Sequence, residues 1–310
     1  LNQCKFKSLT MLHYKNSSNF KNNFSLTMSF CSDIQLAVHS VQNIGQQLLM
    51  IQKENKRIKL ENEALKHENK NHKEMEVEIN ELTTELNKIK EEFKGNQKYL
   101  DALKGKTNIE CFNAWINELK ENNYLHNHTR MWFASIWIFT LDLPWQLGAE
   151  FFMHHLYDGD AASNTLGWRW VAGVQTQGKH YLASEWNIKK FTNDRFKNIK
   201  LNENAPPKIS DKTYSIIKQN FINSENIEEN NLLIFDNNLS FEFTDFKNKK
   251  FKKIYLISNR DRSIKLSEKV MKFKSLLIND QEHRLKEQSI DCEVIDINEI
   301  KNIDEKIIGL

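Results

Sequence analysis

The stretch Tyr124 to Gly173, YLHNHTRMWFASIWIFTLDLPWQLGAEFFMHHLYDGDAASNTLGWRWVAG, decides how this chain is read. All seven tryptophans, at positions 115, 132, 137, 145, 168, 170 and 186, fall in or close beside it, and the Lys/Asn/Glu-rich remainder has none. A segment this aromatic either packs into a dense core or encloses a large planar ligand, since both need wide apolar rings. Its polar groups bear on that choice. A first helix is read over Asn113 to Lys120 and a second over Leu125 to Leu141, the latter with Ala134, Ile138 and Leu141 on one side. Asn127, Arg130 and Met131 stand three and four residues apart, so they face one direction from the second helix. Arg130 amid Met131, Trp132 and Phe133 is expensive to bury unpaired, so an acidic partner or an anionic ligand is expected. The candidates are Asp158 and Asp160, which bracket Gly159 in a turn where two carboxylates repel unless a cation or donor lies between them. Asn164 and Trp168 follow on a short helix and share a face at i, i+4.

Working outward, 310 residues allow one large or two medium domains, and 39% hydrophobic content is low for a wholly compact chain. A net charge of +3 is too mild to imply nucleic-acid binding from charge alone. Cys4, Cys31, Cys111 and Cys292 lie far apart without CxxC or Cys/His spacing, which points to a reduced, cytoplasmic setting without a disulfide framework or structural zinc. No run of about 18 apolar residues and no signal-type apolar core occurs, so a soluble protein with no membrane partner is expected. A chain that begins at Leu1 rather than methionine is expected to lack its true start.

Residues 1–35 are read as an irregular or disordered lead-in by composition. Residues 36–95 carry a coiled-coil-like helical segment: Ile44, Leu48, Ile51, Asn55, Ile58, Asn62 and Leu65 step by alternating four and three. Asn55, Asn62 and Asn69 occupy equivalent seam positions, which favours two strands in register. The seam breaks over Lys66 to Glu74 and resumes as Met75, Ile79, Leu82, Leu86, Ile89 and Phe93. A homodimer through 44–93 and a single helix folding back on the body fit this pattern equally. Gly105-Lys106-Thr107 resembles the end of a phosphate loop, but Tyr99 stands where that motif needs its first glycine. After a helical domain at 96–200 and a polar linker at 201–230 with Pro206-Pro207, residues 231–310 read as a small α/β unit. Leu232 to Phe235, Ile254 to Ser258 and Cys292 to Ile295 are short apolar runs, and Leu266 to Leu285 has helical spacing, which suggests a parallel sheet. Lys247 to Arg262 is the densest basic run, read as a solvated rim in preference to a phosphate contact.

The aromatic segment resembles the flavin-binding helical domain of the photolyase/cryptochrome family. Family members carry a W-M-H-N-R-x-R-M helix, then L-x-D-x-D-x-A-x-N, then G-x-W-Q-W. Here these stand as Tyr124-Leu125-His126-Asn127-His128-Thr129-Arg130-Met131, Tyr157-Asp158-Gly159-Asp160-Ala161-Ala162-Ser163-Asn164 and Gly167-Trp168-Arg169-Trp170. The resemblance covers roughly 100–197, with a faint extension into the α/β unit, and takes in nothing before 95. It implies a mainly α fold: a partial photolyase-like FAD-binding domain preceded by a long coiled-coil-like helix and followed by the α/β unit.

The resemblance further implies FAD as cofactor, held by Asn127, Arg130, Asp158, Asp160 and Asn164, with Asn164 facing flavin N5 as in repair enzymes. Trp168 is implied as the flavin-proximal electron donor and Trp145 as the next relay member, so that Asn164, Trp168 and Trp145 form the catalytic set. Met131 and Trp170 are implied to touch a flipped-out pyrimidine dimer, and His128 to replace an arginine that contacts DNA phosphate. The activity so implied is a deoxyribodipyrimidine photolyase-like carbon–carbon lyase acting on damaged DNA by light-driven electron transfer from reduced FAD. The family's T-x-L-S-P-Y-L loop for the flavin diphosphate and its W-R-E-F helix are absent from the sequence, which implies weakened flavin binding and impaired activity. Two alternatives stay open: a cryptochrome-like light or redox sensor acting through a coiled-coil dimer, and a non-catalytic remnant serving as an interaction module. Trp115, Trp132, Phe133, Trp137, Phe139 and Trp186 read as core packing. His126-x-His128 and the adjacent His154 and His155 lack a carboxylate at ligand spacing, so no metal site is assigned.

Overall fold

The computed structural model describes residues 46–59, 62, 73, 76–176, 178–210, 230–259, 264–303 and 307–309. The expected lead-in at 1–35, the seam residues Ile44, Leu65, Asn69 and Met75, most of the seam break, most of the 201–230 linker, and Arg260 and Arg262 lie outside these residues. Two compact units divide the chain at residues 75 and 76. In the first, residues 46–59 form helix α1, with Leu48, Ile51 and Ile58 of the seam exposed and Arg57 forked onto Glu54 one turn earlier.

The second unit begins with helix α2, residues 76–93. Ile79 and Leu82 remain exposed, while Leu86, Ile89 and Phe93 pack on the main core and Lys90 Nζ meets Glu150 at 2.6 Å. The last turns of the seam therefore serve this chain's own core. Helix α3, Gln97–Lys104, starts where Asn96 Oδ1 accepts from Tyr99 N and stops at Gly105, whose φ of 63° lets its N–H reach back to Ala102 O. The glycine of the GKT sequence is thus a helix cap. Helix α4, Glu110–Asn122, is longer than Asn113 to Lys120 because Cys111, Phe112, Trp115, Ile116 and Leu119 form one buried stripe along it.

Helix α5, Asn127–Ser135, begins with His126 as its cap and passes into a π-helical turn, Ile136–Thr140. The sequence suggested one regular helix from Leu125 to Leu141. Instead Leu125 is buried ahead of the helix, and Ile136, Trp137, Ile138 and Phe139 are all buried where the hydrogen bonding widens to i→i+5. Helix α6, Trp145–His155, and helix α7, Ala161–Ala172, pack closely, followed by the short helix α8, Glu185–Phe191. The approach of α6 to α7 depends on Gly148, where a Cβ would stand 2.2 Å from Cη2 of Trp168.

The α/β unit is a four-stranded parallel sheet ordered β3-β2-β1-β4, with β1 Asn231–Phe235, β2 Ile254–Asn259, β3 Cys292–Asp296 and β4 Ile307–Gly309. Leu232 pairs in register with Ile254, and Ile254 with Cys292. Leu232, Ile234 and Leu256 face helix α9, Glu268–Glu287, through Ile278 and Leu285, while Leu233, Ile257 and Ile295 are covered by Ile297, Ile300 and Ile303. Burial on both faces explains the uninterrupted apolar runs of the strands. Strand β4 went unread in the sequence because it has only three residues. The sheet unit docks on the helices through Tyr157 stacked on Phe273 at 4.4 Å and Ser267 N donating to His154 O. Lys269 Nζ adds bonds to the carbonyls of Lys120 and Glu121 at the end of α4, where a cation complements the helix dipole. Among the described residues no helix is long and apolar enough to cross a membrane.

Candidate functional site

A cavity of about 350 Å³ opens between α5, the turn after α6, and α7. Asn127, Arg130, Met131 and Ala134 line it from α5, Asp158, Gly159 and Asp160 from the turn, and Ser163, Asn164, Gly167, Trp168, Trp170 and Val171 from α7. The helical spacing of the α5 set puts those side chains on one wall. The first turns of α5 and α7 both border the space, so two positive helix ends are near it.

Arg130 and Asp158 form a forked pair, with Nη2 donating to Oδ1 and Oδ2 at 3.0 and 2.8 Å, while Nε donates to Leu125 O at 2.8 Å and the guanidinium lies over the Tyr124 ring. Arg130 is 23% exposed and Asp158 52%, so the pair is worth more as an orienting device than as a source of stability. Asp160 has a different partner. Its carboxylate accepts from Ser163 N at 2.8 Å as the cap of α7, and the Ser163 and Ala162 N–H groups hold its pKa below the usual carboxylate range. The turn therefore separates the two carboxylates by giving one a cation and the other a helix end. Asn164, one turn into α7, donates through Nδ2 to Ala149 O at 2.8 Å, which fixes its amide plane against α6.

Trp168 is 2% exposed, and its Nε1 is a buried donor with no partner among the described residues. Phe152, Trp137 and Phe133 surround its ring edge to face at 5.0, 6.2 and 6.3 Å. Trp145 is set elsewhere: it lines a separate, larger groove of about 1240 Å³ with Leu86, Leu166 and Arg169. His128 also turns away from the cavity wall, stacking on Trp132 at 4.2 Å and facing Phe191 at 5.3 Å. Met131 and Trp170 line the cavity, Trp170 being 41% exposed and stacked on Tyr181. Among the residues read as packing, Trp115, Trp132, Phe133, Trp137 and Phe139 are buried, but Trp186 is 65% exposed. Sequence reasoning quoted Ser163 and Gly167 only as motif members, and it missed the lining residues Phe152 and Leu156 and the close-packed Gly148. A lone small residue in an apolar helix such as Gly148 gives no signal of what it faces.

These walls suit the ring end of a flavin: apolar and aromatic faces, an arginine–carboxylate pair, an amide, and a buried indole N–H left without an acceptor. About 350 Å³ lies at the low end of small-molecule pockets, roughly 300–1,000 Å³, so the space matches a tricyclic ring and not a whole dinucleotide.

The FAD binding domain of DNA photolyase matches residues 59–200. That span reaches back past residue 95 into the heptad-patterned helix, in keeping with the packing of Leu86, Ile89 and Phe93 on the core. The deoxyribodipyrimidine photo-lyases of Vibrio cholerae and Escherichia coli are each 34% identical over 91 residues, 29% of this chain and 19% of theirs. That of Streptomyces griseus is 40% identical over 72 residues, 23% of this chain and 16% of its own. The match thus spans less than a fifth of the length of these curated relatives. No solved structure matches the chain. With the cavity and these matches together, the chain carries a partial FAD-binding domain of the photolyase/cryptochrome family, and its cofactor is FAD.

Proposed function

We propose that the cavity between α5 and α7 receives the isoalloxazine ring and adjoining ribityl chain of FAD, and that the protein acts in light-driven repair of pyrimidine dimers in DNA. The observation that carries this reading is the convergence of Asn127, Arg130, Asp158, Asp160, Asn164 and Trp168, from three separated stretches, on one space of ring size. Bound there, the flavin supplies one-electron chemistry driven by light. The protein's part is binding and electrostatics. The forked Arg130–Asp158 pair would set a fixed dipole beside the ring, Asn164 would offer its amide oxygen with its N–H held by Ala149 O, and the unpartnered Trp168 indole N–H would be available as a donor. Trp168 and Trp170 both line that space, and the buried Trp168 suits the role of electron donor. Trp145 as the next donor, and His128 as a phosphate contact, rest on the family resemblance alone. Met131 and Trp170, at the wall and partly exposed, suit a base taken out of the stack. The reaction is a carbon–carbon lyase step on the dimer.

Self-association through 44–93 is a second reading, favoured by the exposure of Leu48, Ile51, Ile58, Ile79 and Leu82, and would suit a light or redox sensor. Sedimentation at tens of micromolar, on the order at which a dimer seam should hold, tests it. We place the protein in a reducing cytoplasm, since Cys111 and Cys292 are both free and buried. The central test is direct: incubate the protein with excess FAD, remove free ligand and record the visible spectrum. Retained flavin absorbance near one equivalent, followed by light-dependent loss of dimers from irradiated oligothymidine, supports the proposal. A colourless protein refutes it.

A further inference from the structure

A cavity of about 420 Å³ lies where α9 docks on the ends of α4 and α6, and it shares no lining residue with the one between α5 and α7. Its charge is positive and lacks a counter-ion. Lys120, Lys265 and Lys269 border it, and none of the three has a carboxylate partner among the described residues. Lys120 Nζ donates to Leu103 O, and Lys269 Nζ donates to the carbonyls of Lys120 and Glu121 at 3.0 Å. These neutral acceptors orient the ammonium groups without cancelling their charge. The one acid at the rim, Glu268, is exposed. Burial holds the Lys120 pKa below the usual lysine range, and burial followed by His154, Lys120 and Lys269 pushes the proton off His155. Ser267, the cap of the twenty-residue helix α9, also borders the space, so the positive end of that helix adds to the same field.

A second observation narrows what the cavity takes. Asn123 lines it, closes α4 in the left-handed conformation at φ 56°, and is 1% exposed. Its Nδ2 donates to His155 O at 2.6 Å, which fixes the amide plane and leaves Oδ1 as a buried acceptor with no partner among the described residues. A buried acceptor calls for a donor. The occupant must therefore bring negative charge for the lysines and an O–H for the amide. A phosphate group that keeps one proton brings both. Sulfate, a carboxylate and the diester of a nucleic-acid backbone carry the charge without the O–H, so they leave Asn123 unpaired.

We propose that the cavity among α4, α6 and α9 is a binding site for a protonated phosphate group, with the lysines and the α9 end holding its charge and Asn123 Oδ1 accepting its O–H. The site does not depend on flavin. The test is calorimetric titration of the full chain with inorganic phosphate, methyl phosphate and sulfate. Phosphate should saturate one site with a Kd of about 1 mM or tighter. Sulfate should bind at least about tenfold more weakly, because it leaves the buried acceptor unpaired. In the same parent protein, phosphate should shift the imidazole NMR signals of His154 and His155 more than sulfate does at equal concentration. Asn123→Gly suits the left-handed backbone while removing the acceptor, so the preference for phosphate should fall to about twofold or less. Lys265→Gln, at an exposed position, should weaken both anions alike by about threefold or more. Methyl phosphate loses its last O–H above about pH 6, whereas inorganic phosphate retains one. A methyl ester that outcompetes the free ion at about pH 6 and fails at about pH 8 assigns the pocket to a phosphate monoester, and a weaker ester at both assigns it to the free ion; either supports the proposal. A parent that binds phosphate and sulfate equally, or saturates with neither, overturns it. Should Asn123→Gly fail to fold by circular dichroism, the parent's phosphate-to-sulfate ratio and Lys265→Gln still decide.

Discussion

Replacing Gly148 by alanine puts the packing argument to its strictest test. Gly148 lies inside α6, where alanine is preferred over glycine by about 0.8–1.0 kcal/mol, so propensity alone says the variant should be more stable. Packing says the opposite. The new Cβ would fall 2.2 and 2.3 Å from Cη2 and Cζ3 of Trp168, well inside any real contact distance. Trp168 has Phe133, Trp137 and Phe152 about it at 5.0 to 6.3 Å, so the only space open to the displaced ring is the cavity it lines. Overpacking of this kind costs about 1–3 kcal/mol. After the propensity gain the net loss should be about 0–2 kcal/mol, or roughly 2–4 °C in Tm per kcal/mol for a unit of this size. Filling the cavity should also weaken FAD binding at least about tenfold, equivalent to about 1.4 kcal/mol. Gly167→Ala in α7 is the matched control, since nothing lies within 4 Å of a Cβ there, and it should be stabilised by about 0.5–1 kcal/mol. Thermal melts, flavin titrations and near-ultraviolet circular dichroism, which reports the reoriented indole, give three independent readings. A Gly148→Ala protein that melts at or above Gly167→Ala and keeps the parent's flavin affinity would refute the packing of α6 on α7 and the position of the cavity wall.

Other consequences follow from the same geometry. Asp160→Ala removes the cap of α7 and should cost about 1 kcal/mol, read from denaturant midpoints, whereas Asp160→Asn keeps an acceptor and should cost less. Asp158→Asn should change stability by less than about 1 kcal/mol because its pair is half in water, yet it should lower flavin affinity; equal losses of both would contradict the orienting role. His155 is pushed down to about 4, first by burial and then by His154, Lys120 and Lys269. Its folded pKa lies below the unfolded 6.5, so it contributes stability that is present above 6.5 and lost as the pH falls from there towards 4. His155→Gln should flatten the pH dependence of Tm across that window, and an unchanged slope would assign the acid sensitivity to other groups. Cys111, pushed up to about 12 by burial, should resist alkylation at neutral pH until the protein unfolds, as peptide mass spectrometry would show.

How much of this was legible beforehand depends on what a pattern can express. Spacing in sequence reports which residues share a side of an element, and it did so for Asn127, Arg130 and Met131, for the three longer strands, and for Leu86, Ile89 and Phe93 on one seam. It does not report what lies opposite. The two aspartates around Gly159 were equivalent as candidates for Arg130, and only the path of the chain into α7 made one a cap and left the other for the guanidinium. The single seam of residues 79–93 likewise held no mark dividing exposed Ile79 and Leu82 from Leu86, Ile89 and Phe93 on the core, because both parts are apolar at the same period. The π-turn at Ile136–Thr140 was invisible for a related reason: a run of apolar residues matches a buried helix whatever its hydrogen-bond spacing.

Helix α5 shows why this limit matters for function. Positions 127, 130, 131 and 134 line the cavity, while His128 packs its ring on buried Trp132 away from it, so one short helix serves two sides with no residue shared between them. Read by composition, Trp132 and Trp186 are both aromatic residues on helices and both predict core. The structure separates them by exposure, 3% against 65%, and by polar partner, since the Trp132 N–H is held by Asn187 at 2.8 Å while Trp186 meets a lysine from the solvent side. An indole that is buried and hydrogen-bonded is explained by the fold it stabilises. One that is exposed beneath a lysine contributes little to it, so Trp186→Ala should leave stability within about 0.5 kcal/mol of the parent whereas Trp132→Ala should cost about 3 kcal/mol or more, and equal losses in denaturant midpoints would refute the distinction.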